Sequence, residues 1–374
     1  MAMRGARVLI AVAAVVGLAV SGCAGGPDGF SINGASATVP STAYPSTSTS
    51  APPPPVSTTP QSSTVRSTPR TTAKTTKPAA PTPTTDPLTG GTLSANPVIA
   101  AKIDNTTAGF PQFGINDADI IYVEQVEGGL TRLVMVFHSV LPTEVGAARS
   151  MRSTDVELLP TYGTPILVAS GGAGGPMSML AGSRIIDATQ QSGGPGYWRS
   201  QYGDGTHNLH VDLTKVAQAY PQAGKVQSIG LDFATKDPRL TVAKKVGIID
   251  VVMQSGDASF TYQGAGEYQV FHHGTAYQDQ NGKDVYAQNV LVQHVTDAPD
   301  GTVDVIGSPS YLSHTVGTGT FSLFRNGREV DGTWSRASVD DPTSFLDAKG
   351  KPFDLLPGKT WILLAPQTSS VSTN

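Results

Sequence analysis

One segment limits what this chain can fold into: residues 36–95 consist mostly of Ser, Thr, Pro and Ala, as in STSTSAPPPPVSTTP (46–60). The segment has almost none of the large apolar side chains whose burial offsets the entropy of ordering, and its prolines favour extended polyproline II. It therefore predicts a disordered, semi-stiff spacer. The folded part is expected to begin at residue 96, where apolar residues become periodic.

The residues before the spacer have the form of a bacterial lipoprotein signal. A positively charged start precedes an apolar run at 8–20, and VSGC (20–23) follows as a lipobox. Cys23 is the only cysteine of the 374 residues, which favours lipid attachment over disulfide or thiol chemistry. The alternative is an ordinary secretory signal with an accidental cysteine. We predict a signal peptide at 1–22 and a lipidated N-terminus with the spacer at 23–95, held on the extracytoplasmic face of the cell membrane.

Charge and composition restrict the partners. The formal net charge is -4 and the pI is near 6.0, which argues against binding to nucleic acid. The expected partners are the membrane, through the lipid on Cys23, and an anionic envelope ligand or wall-synthesis proteins.

The folded part is predicted to be α+β, with an N-terminal mixed α/β sheet domain at 96–225 and a mostly antiparallel β domain at 226–374. The apolar pattern predicts strands at 97–103, 118–124, 130–138 and 165–170, and helices at 153–162, 176–182 and 213–220. Strand-like runs dominate the second half. Four pairs there are typical of hairpin turns: Asn281-Gly282, Asn326-Gly327, Asp331-Gly332 and Lys349-Gly350.

Two arginines stand where the first helix is expected to begin. Arg149 and Arg152 lie three residues apart in GAARSMRSTDVEL (146–158), and Thr154 with Glu157 has the form of a capping box. Cations are unfavourable in the first turn of a helix, because that turn carries a partial positive charge. Such a pair needs a compensating negative charge.

The compensating charge has two candidate sources. One is a buried carboxylate, Asp104, Glu124 or Glu127, in a structural network. The other is an external anion, which a planar guanidinium binds through two hydrogen bonds. The sequence leaves both open.

Other candidate site residues lie at predicted strand ends. Glu127 and Arg132 flank a Gly-Gly turn in EGGLTR (127–132), as a hairpin with a salt bridge or as part of the same cleft. Asp104 ends a strand in KIDN (102–105), where it could cap a turn or assist through Mg²⁺.

The histidines and the glycine-rich segment give weaker signals. No standard zinc pattern fits HNLH (207–210), and His272 and His273 are expected on opposite faces of a strand, so we predict no metal site. The segment SGGAGGP (170–176) lacks P-loop and Rossmann spacing, which leaves a substrate-lining loop or a close-packed turn.

Several stretches resemble the YerB-like lipoproteins, a bacterial family of unknown function with an N-terminal and a C-terminal domain. They are KIDN (102–105), PQFGINDADIIYVEQVEGGLTR (111–132), GAARSMRS (146–153), THNL (206–209), AQNVLVQ (287–293), FRNGREVDGTW (324–334) and LLPGKTWILLAP (355–366). The resemblance implies two domains and a ligand contact for His207 and Asn208, which fall in a matching stretch. The chain departs from the family at Ala147, where relatives usually carry proline.

The preferred hypothesis is a non-catalytic envelope lipoprotein that binds a phosphate or carboxylate group in an N-domain cleft, without a cofactor. The first alternative is a Mg²⁺-dependent phosphotransferase acting on polyprenyl-phosphate-linked wall precursors. It rests on a similarity in the order of elements to LytR-CpsA-Psr phosphotransferases. The second is a scaffold for wall-synthesis machinery that uses its β half as the contact surface. Whether the protein is an enzyme stays open at this point.

Overall fold

The computed structural model describes residues 84–304 and 307–374. The predicted signal peptide, the lipidation site Cys23 and residues 23–83 of the predicted spacer lie outside the described residues. Residues 84–95, predicted as the end of the disordered spacer, belong to the fold instead, because Asp86 and Leu88 are fully buried and Leu88 packs in the core. Within the described residues, no helix is long and apolar enough to cross a membrane.

The first half combines short helices with strands. Its elements in chain order are β1 (Ile99–Asp104), β2 (Ile120–Gln125), β3 (Thr131–Phe137), β4 (Val145–Gly146), α1 (Ser153–Leu158), β5 (Ile166–Val168), α2 (Gly174–Ala181), β6 (Ile186–Asp187), β7 (Tyr197–Arg199), β8 (Leu209–Val211) and α3 (Leu213–Ala219). A 3₁₀ turn, Leu159–Tyr162, extends α1.

Strands make up almost all of the second half. They are β9 (Asp232–Phe233), β10 (Lys244–Lys245), β11 (Ile248–Met253), β12 (Gly256–Gly264), β13 (Glu267–His272), β14 (Thr275–Ala276), β15 (Tyr286–Ala287), β16 (Asn289–Val303), β17 (Pro309–His314), β18 (Gly317–Arg325), β19 (Arg328–Arg336), β20 (Ser344–Leu346), β21 (Asp354–Leu355), β22 (Thr360–Pro366) and β23 (Ser370–Thr373).

The mixed sheet and the antiparallel second half agree with the α+β prediction, but the fold is poorer in helix than that class implies. About 43% of the described residues are in strands and 13% in helices. Each helix predicted in the first half is present, and each is short. α1 contributes Val156 and Leu158 to the core, and α3 contributes Leu213 and Val216.

Strands from both halves join in one large mixed sheet, in the order β10-β19-β18-β16-β22-β2-β3-β1-β5-β6. β22, near the end of the chain, pairs in parallel with both β2 and β16. A second sheet has the order β14-β13-β12-β11-β23.

Both faces of the large sheet are covered, which explains the continuous apolar runs of β1, β2 and β3. On one face, Tyr122 and Val134 pack with Val156 and Leu159 of the α1 region. On the other face, the sheet packs against β11–β13 of the second sheet and against α3. The C-terminal ends of β1 and β2 are thereby fixed beside the loop that leads into α1.

Two local predictions are wrong. Thr154 and Glu157 do not form a capping box. The Oγ1 of Thr154 accepts a hydrogen bond from the backbone of β17, and Glu157 accepts from the backbone that follows β17. The N–H of Arg152 instead donates to Asp155 at 2.6 Å.

Asp331-Gly332 is not a turn but lies inside β19. A Cβ at Gly332 would meet the carbonyl oxygen of Leu346 at 2.3 Å, so glycine serves close packing here. Asn326-Gly327 does form the β18–β19 hairpin turn, with φ of 54° and 67°.

Candidate functional site

A cleft of about 570 Å³ opens where β1 and the β2–β3 hairpin meet the loops before α1 and α2. We call it the arginine cleft. Its charged lining residues are Arg132, Arg149, Arg152, Arg199, Asp104, Glu127 and Asp304. The structure thus brings together five of the seven residues that the sequence singled out. The other two, His207 and Asn208, contact residues that line the cleft.

Arg152 is paired inside the protein. Its Nε donates to Oε1 of Glu127 at 2.5 Å, its NH2 donates to Oε2, and its NH1 donates to the carbonyl oxygens of Ser150 and Met151. The two side chains are 9% and 6% exposed. Burial would raise the pKa of Glu127, but hydrogen bonds from Arg152 and Ser310 lower it to about 2. Glu127 is therefore the carboxylate that compensates Arg152.

The suggested salt bridge between Glu127 and Arg132 across the hairpin is not formed. The turn itself is as expected, because Gly128 and Gly129 adopt φ of 67° and 74° between β2 and β3. Glu127 turns toward Arg152 instead, because Arg152 presents two parallel N–H groups to the carboxylate.

Arg149 is only loosely compensated. Its Nε lies 3.6 Å from Oδ2 of Asp104, and its NH1 donates to the carbonyl oxygen of Thr206 at 2.8 Å. The same Oδ2 is 2.6 Å from Nδ1 of His207, so Asp104 is shared between two partners. The Arg149 side chain remains 20% exposed at the cleft.

Arg132 is the least compensated of the three. Its NH1 donates to the carbonyl oxygen of Ser150 at 2.8 Å. Among the described residues, no carboxylate oxygen lies within 4.0 Å of its guanidinium nitrogens. Burial, followed by the charges of Arg152 and Arg149, lowers the pKa of Arg132 to about 10. A half-buried cation beside two like charges is an unfavourable arrangement that a bound anion would relieve.

Glu124, the third carboxylate considered from the sequence, does not pair with the arginines. It forms a fully buried cluster with Lys102, which also contacts Asp155 at 2.9 Å. Burial, followed by the charge of Asp155, raises the pKa of Glu124 to about 7. This cluster contacts the start of α1 through Asp155 and so supports the loop that leads into the helix.

His207 and Asn208 contact the lining residues rather than line the cleft themselves. His207 holds Asp104, and Oδ1 of Asn208 accepts a hydrogen bond from NH1 of Arg199 at 2.9 Å. Like Asp304, Arg199 is a charged lining residue that the sequence did not single out. It lies in a short strand within a polar, glycine-rich region, and no local pattern places that strand beside the arginine loop.

The glycine-rich segment also contributes to the cleft, because Gly172 and Ala173 line it just before α2. Ala173 is the N-cap residue of this eight-residue helix, and its side chain makes no capping hydrogen bond. The first-turn N–H groups of α2 therefore lack a side-chain acceptor at their cap and add a partial positive charge at this wall.

Comparison with known proteins agrees with this architecture. Residues 84–226 match the N-terminal domain, and residues 249–362 the C-terminal domain, of a family described as "Protein of unknown function (DUF3048)". A Bacillus subtilis (strain 168) protein named "Putative lipoprotein YerB" is 25% identical over 300 residues, which span 76% of this chain and 87% of that protein. The crystal structure of YerB protein from Bacillus subtilis has the same fold, with a TM-score of 0.63 at 22% identity over 77% of this chain and 99% of that one. The chain therefore belongs to the YerB-like family, which combines the N-terminal and C-terminal DUF3048 domains.

Proposed function

We propose that this protein is a lipid-anchored lipoprotein on the extracytoplasmic face of the cell membrane, and that its arginine cleft binds a phosphate or carboxylate group of an envelope component without catalysis. The lipobox at VSGC (20–23) and the name of the Bacillus relative, "Putative lipoprotein YerB", support the anchoring. The spacer would hold the cleft at a distance from the membrane.

The observation that carries the proposal is the state of Arg132. Buried cations in proteins are normally paired, since desolvation without a partner is costly. Among the described residues, the hydrogen-bond partner of the half-buried Arg132 side chain is a backbone carbonyl oxygen, and the charges of Arg152 and Arg149 outweigh the opposing charges of Glu127 and Asp104. An anion bound between Arg132 and Arg149 would relieve this repulsion and accept hydrogen bonds from both.

Two further features support an anion at this place. Arg149 shares its carboxylate with His207, so much of its hydrogen-bonding capacity is available to a ligand. The N-cap residue of α2, Ala173, lines the same cleft and has no capping side chain, so the partial positive charge of this helix start also favours an anion there. In this proposal Arg152 supports the cleft and does not bind the anion itself, because its guanidinium group is already paired with Glu127.

The contacts of Asp104 bear on the phosphotransferase alternative. Its Oδ1 accepts from the N–H of Thr106 at 2.8 Å, and its Oδ2 contacts His207 and Arg149. Both oxygens are thus engaged by donors, which favours a positioning role for Asp104 over a role as Mg²⁺ ligand. The phosphotransferase and scaffold readings, and the domain boundary at 225/226, stay predictions.

The proposal is tested by titrating the purified chain with inorganic pyrophosphate and with citrate, using calorimetry and thermal melting. We expect saturable binding that raises the melting temperature. Loss of a charge-assisted hydrogen bond costs about 1.5–3 kcal/mol, so Arg149→Ala and Arg132→Met should weaken binding about tenfold to a hundredfold.

Arg184→Ala is the matched control, since Arg184 is an exposed arginine paired with Asp340 away from the cleft. It should bind like the wild type. Unchanged binding in folded Arg149→Ala and Arg132→Met would overturn the proposal. Mg²⁺-dependent release of phosphate from a polyprenyl-phosphate-linked donor would instead support the enzymatic alternative.

A further inference from the structure

Three side chains with metal-binding atoms converge on the second sheet, apart from the arginine cleft. Asp257 lies near the start of β12, His272 ends the neighbouring strand β13, and His273 follows it. The antiparallel pairing of these strands brings Asp257 opposite the two histidines. One potential ligand atom from each residue falls within 4.8 Å of the others.

The two histidines do not lie on opposite faces of a strand, contrary to the expectation from the sequence. His273 adopts a positive φ of 47°, outside the strand, and its N–H donates to Oδ1 of Asp257 at 2.8 Å. This turns its side chain back, so the two imidazole rings lie 4.1 Å apart, centroid to centroid. The alternation of side chains between the two faces of β13 does not extend to His273, because the strand ends at His272.

The spacing of the three groups suits a tetrahedral metal ion. Oδ1 of Asp257 is 3.3 Å from Nδ1 of His272 and 2.9 Å from Nδ1 of His273. Ligands bound at about 2.0–2.1 Å in a tetrahedral site stand about 3.3 Å from one another. The observed separations are near this value, so small side-chain movements would complete the geometry.

The surroundings of the cluster also fit a cation. Within the described residues, the ionisable side-chain nitrogens within 4.0 Å of the Asp257 carboxylate belong to these two histidines, and no lysine or arginine nitrogen lies within that distance. His272 is 2% exposed and His273 is 49% exposed, so one side of the cluster is packed and the other opens to solvent. A water molecule or an external ligand would complete the coordination on the open side.

We propose that Asp257, His272 and His273 form a binding site for a divalent transition-metal ion of the Zn²⁺ type. Two imidazole nitrogens and one carboxylate oxygen are a donor set that suits Zn²⁺, Ni²⁺ or Cu²⁺ better than Mg²⁺ or Ca²⁺. Nδ1 of His272 also lies 2.7 Å from the carbonyl oxygen of Asp257. Because a carbonyl oxygen only accepts, this Nδ1 carries the proton, which must leave or move to Nε2 before Nδ1 can bind a metal ion, so the affinity is expected to be lower than that of a preformed site.

The experiment measures Zn²⁺ binding to the full chain by equilibrium dialysis and calorimetry. The chain carries Cys23→Ser, which removes its only thiol as a competing ligand. We expect one Zn²⁺ per chain. His273→Ala and Asp257→Asn should each weaken binding at least tenfold, and both should stay folded because His273 is half-exposed and asparagine keeps the shape of aspartate.

His314→Ala is the matched control. His314 is also a partly exposed histidine beside a carboxylate, with Nδ1 3.3 Å from Oε2 of Glu157, but no second histidine joins it in the part of the chain that the structure describes. This variant should bind Zn²⁺ like the parent chain. The proposal is overturned if no stoichiometric Zn²⁺ binds, or if His273→Ala and Asp257→Asn bind it as tightly as His314→Ala does.

Discussion

Replacing Arg152 by alanine separates a structural role of the arginine pair from a ligand-binding role. In the folded protein this substitution leaves the carboxylate of Glu127 buried, with the hydroxyl of Ser310 as its main remaining side-chain donor. An uncompensated buried charge destabilises the fold, whereas an exposed one is solvated by water. We therefore expect Arg152→Ala to lower the free energy of unfolding strongly.

The magnitude follows from the burial of the pair. Removing one partner of a buried ion pair costs about 3–5 kcal/mol. The pKa of Glu127 gives a second route to the same figure, because its fall from 4.5 to about 2 corresponds to about 3 kcal/mol of stabilisation of the ionised form. This contribution is fully present above pH 4.5 and is lost as the pH falls through about 2. The effect of Arg152→Ala should therefore shrink in acid.

Arg149→Ala is the comparison. The Arg149 side chain is more exposed and lies 3.6 Å from Asp104, which keeps its contact with His207 after the substitution. Pairs of this kind contribute about 0–1 kcal/mol. We expect a near-native free energy of unfolding for Arg149→Ala, combined with weakened anion binding.

The assay is equilibrium unfolding in urea, monitored by tryptophan fluorescence, at pH 7 and at pH 3. Two-state behaviour is checked by comparing the denaturant slopes of the two variants with that of the wild type. A loss of less than about 1 kcal/mol in Arg152→Ala at pH 7 would refute the structural reasoning. So would an equally large loss in Arg149→Ala.

Three further predictions concern stability. Burial raises the pKa of Glu124 to about 7, so its protonated carboxyl stabilises the fold below pH 4.5, and this contribution is lost as the pH rises through about 7. Glu124→Gln should therefore make the melting temperature depend less on pH over this range. Equal pH dependence of the melting temperature in the variant and the wild type would contradict this. Gly332→Ala should cost about 2 kcal/mol or more in urea unfolding because its Cβ would meet Leu346, whereas Gly350→Ala, with open space around it, should cost only about 1 kcal/mol through its positive φ. Asp212→Ala removes the side-chain cap of α3 and should cost about 1 kcal/mol; an unchanged urea midpoint would count against the cap.

The sequence predicted the local elements of the fold well. Apolar periodicity located β1, β2, β3 and the helices, because burial on one or both faces imposes a period that is visible along the chain. Which strands become neighbours was not predictable in the same way. The parallel pairing of β22 with β2 joins segments more than 200 residues apart, and no residue pattern in either strand specifies the partner.

The candidate site was predictable in composition but not in pairing. The arginines, Asp104 and Glu127 stand out from their residue types and turn positions, yet Glu127 was equally able to meet Arg132 or Arg152. The choice depends on how the loop before α1 crosses the end of β2, which is a property of tertiary packing. Asp257 was missed for the same reason, since only strand pairing places it beside His273.

The charged residues around the arginine cleft explain how two arginines can lie at the start of a helix, where cations are unfavourable. Asp155 accepts a hydrogen bond from the N–H of Arg152 and also contacts Lys102. Its carboxylate therefore compensates the partial positive charge at the start of α1, and the two guanidinium groups are not involved. The lining residues of the cleft then comprise four arginines and three carboxylates, which leaves one positive charge in excess. Glu127 is committed to Arg152 and Asp104 is shared with a histidine, so neither Arg132 nor Arg149 has a carboxylate to itself among the described residues. A single anionic group between these two side chains would balance the cleft, and the two arginines of the loop thus have different roles despite lying three residues apart.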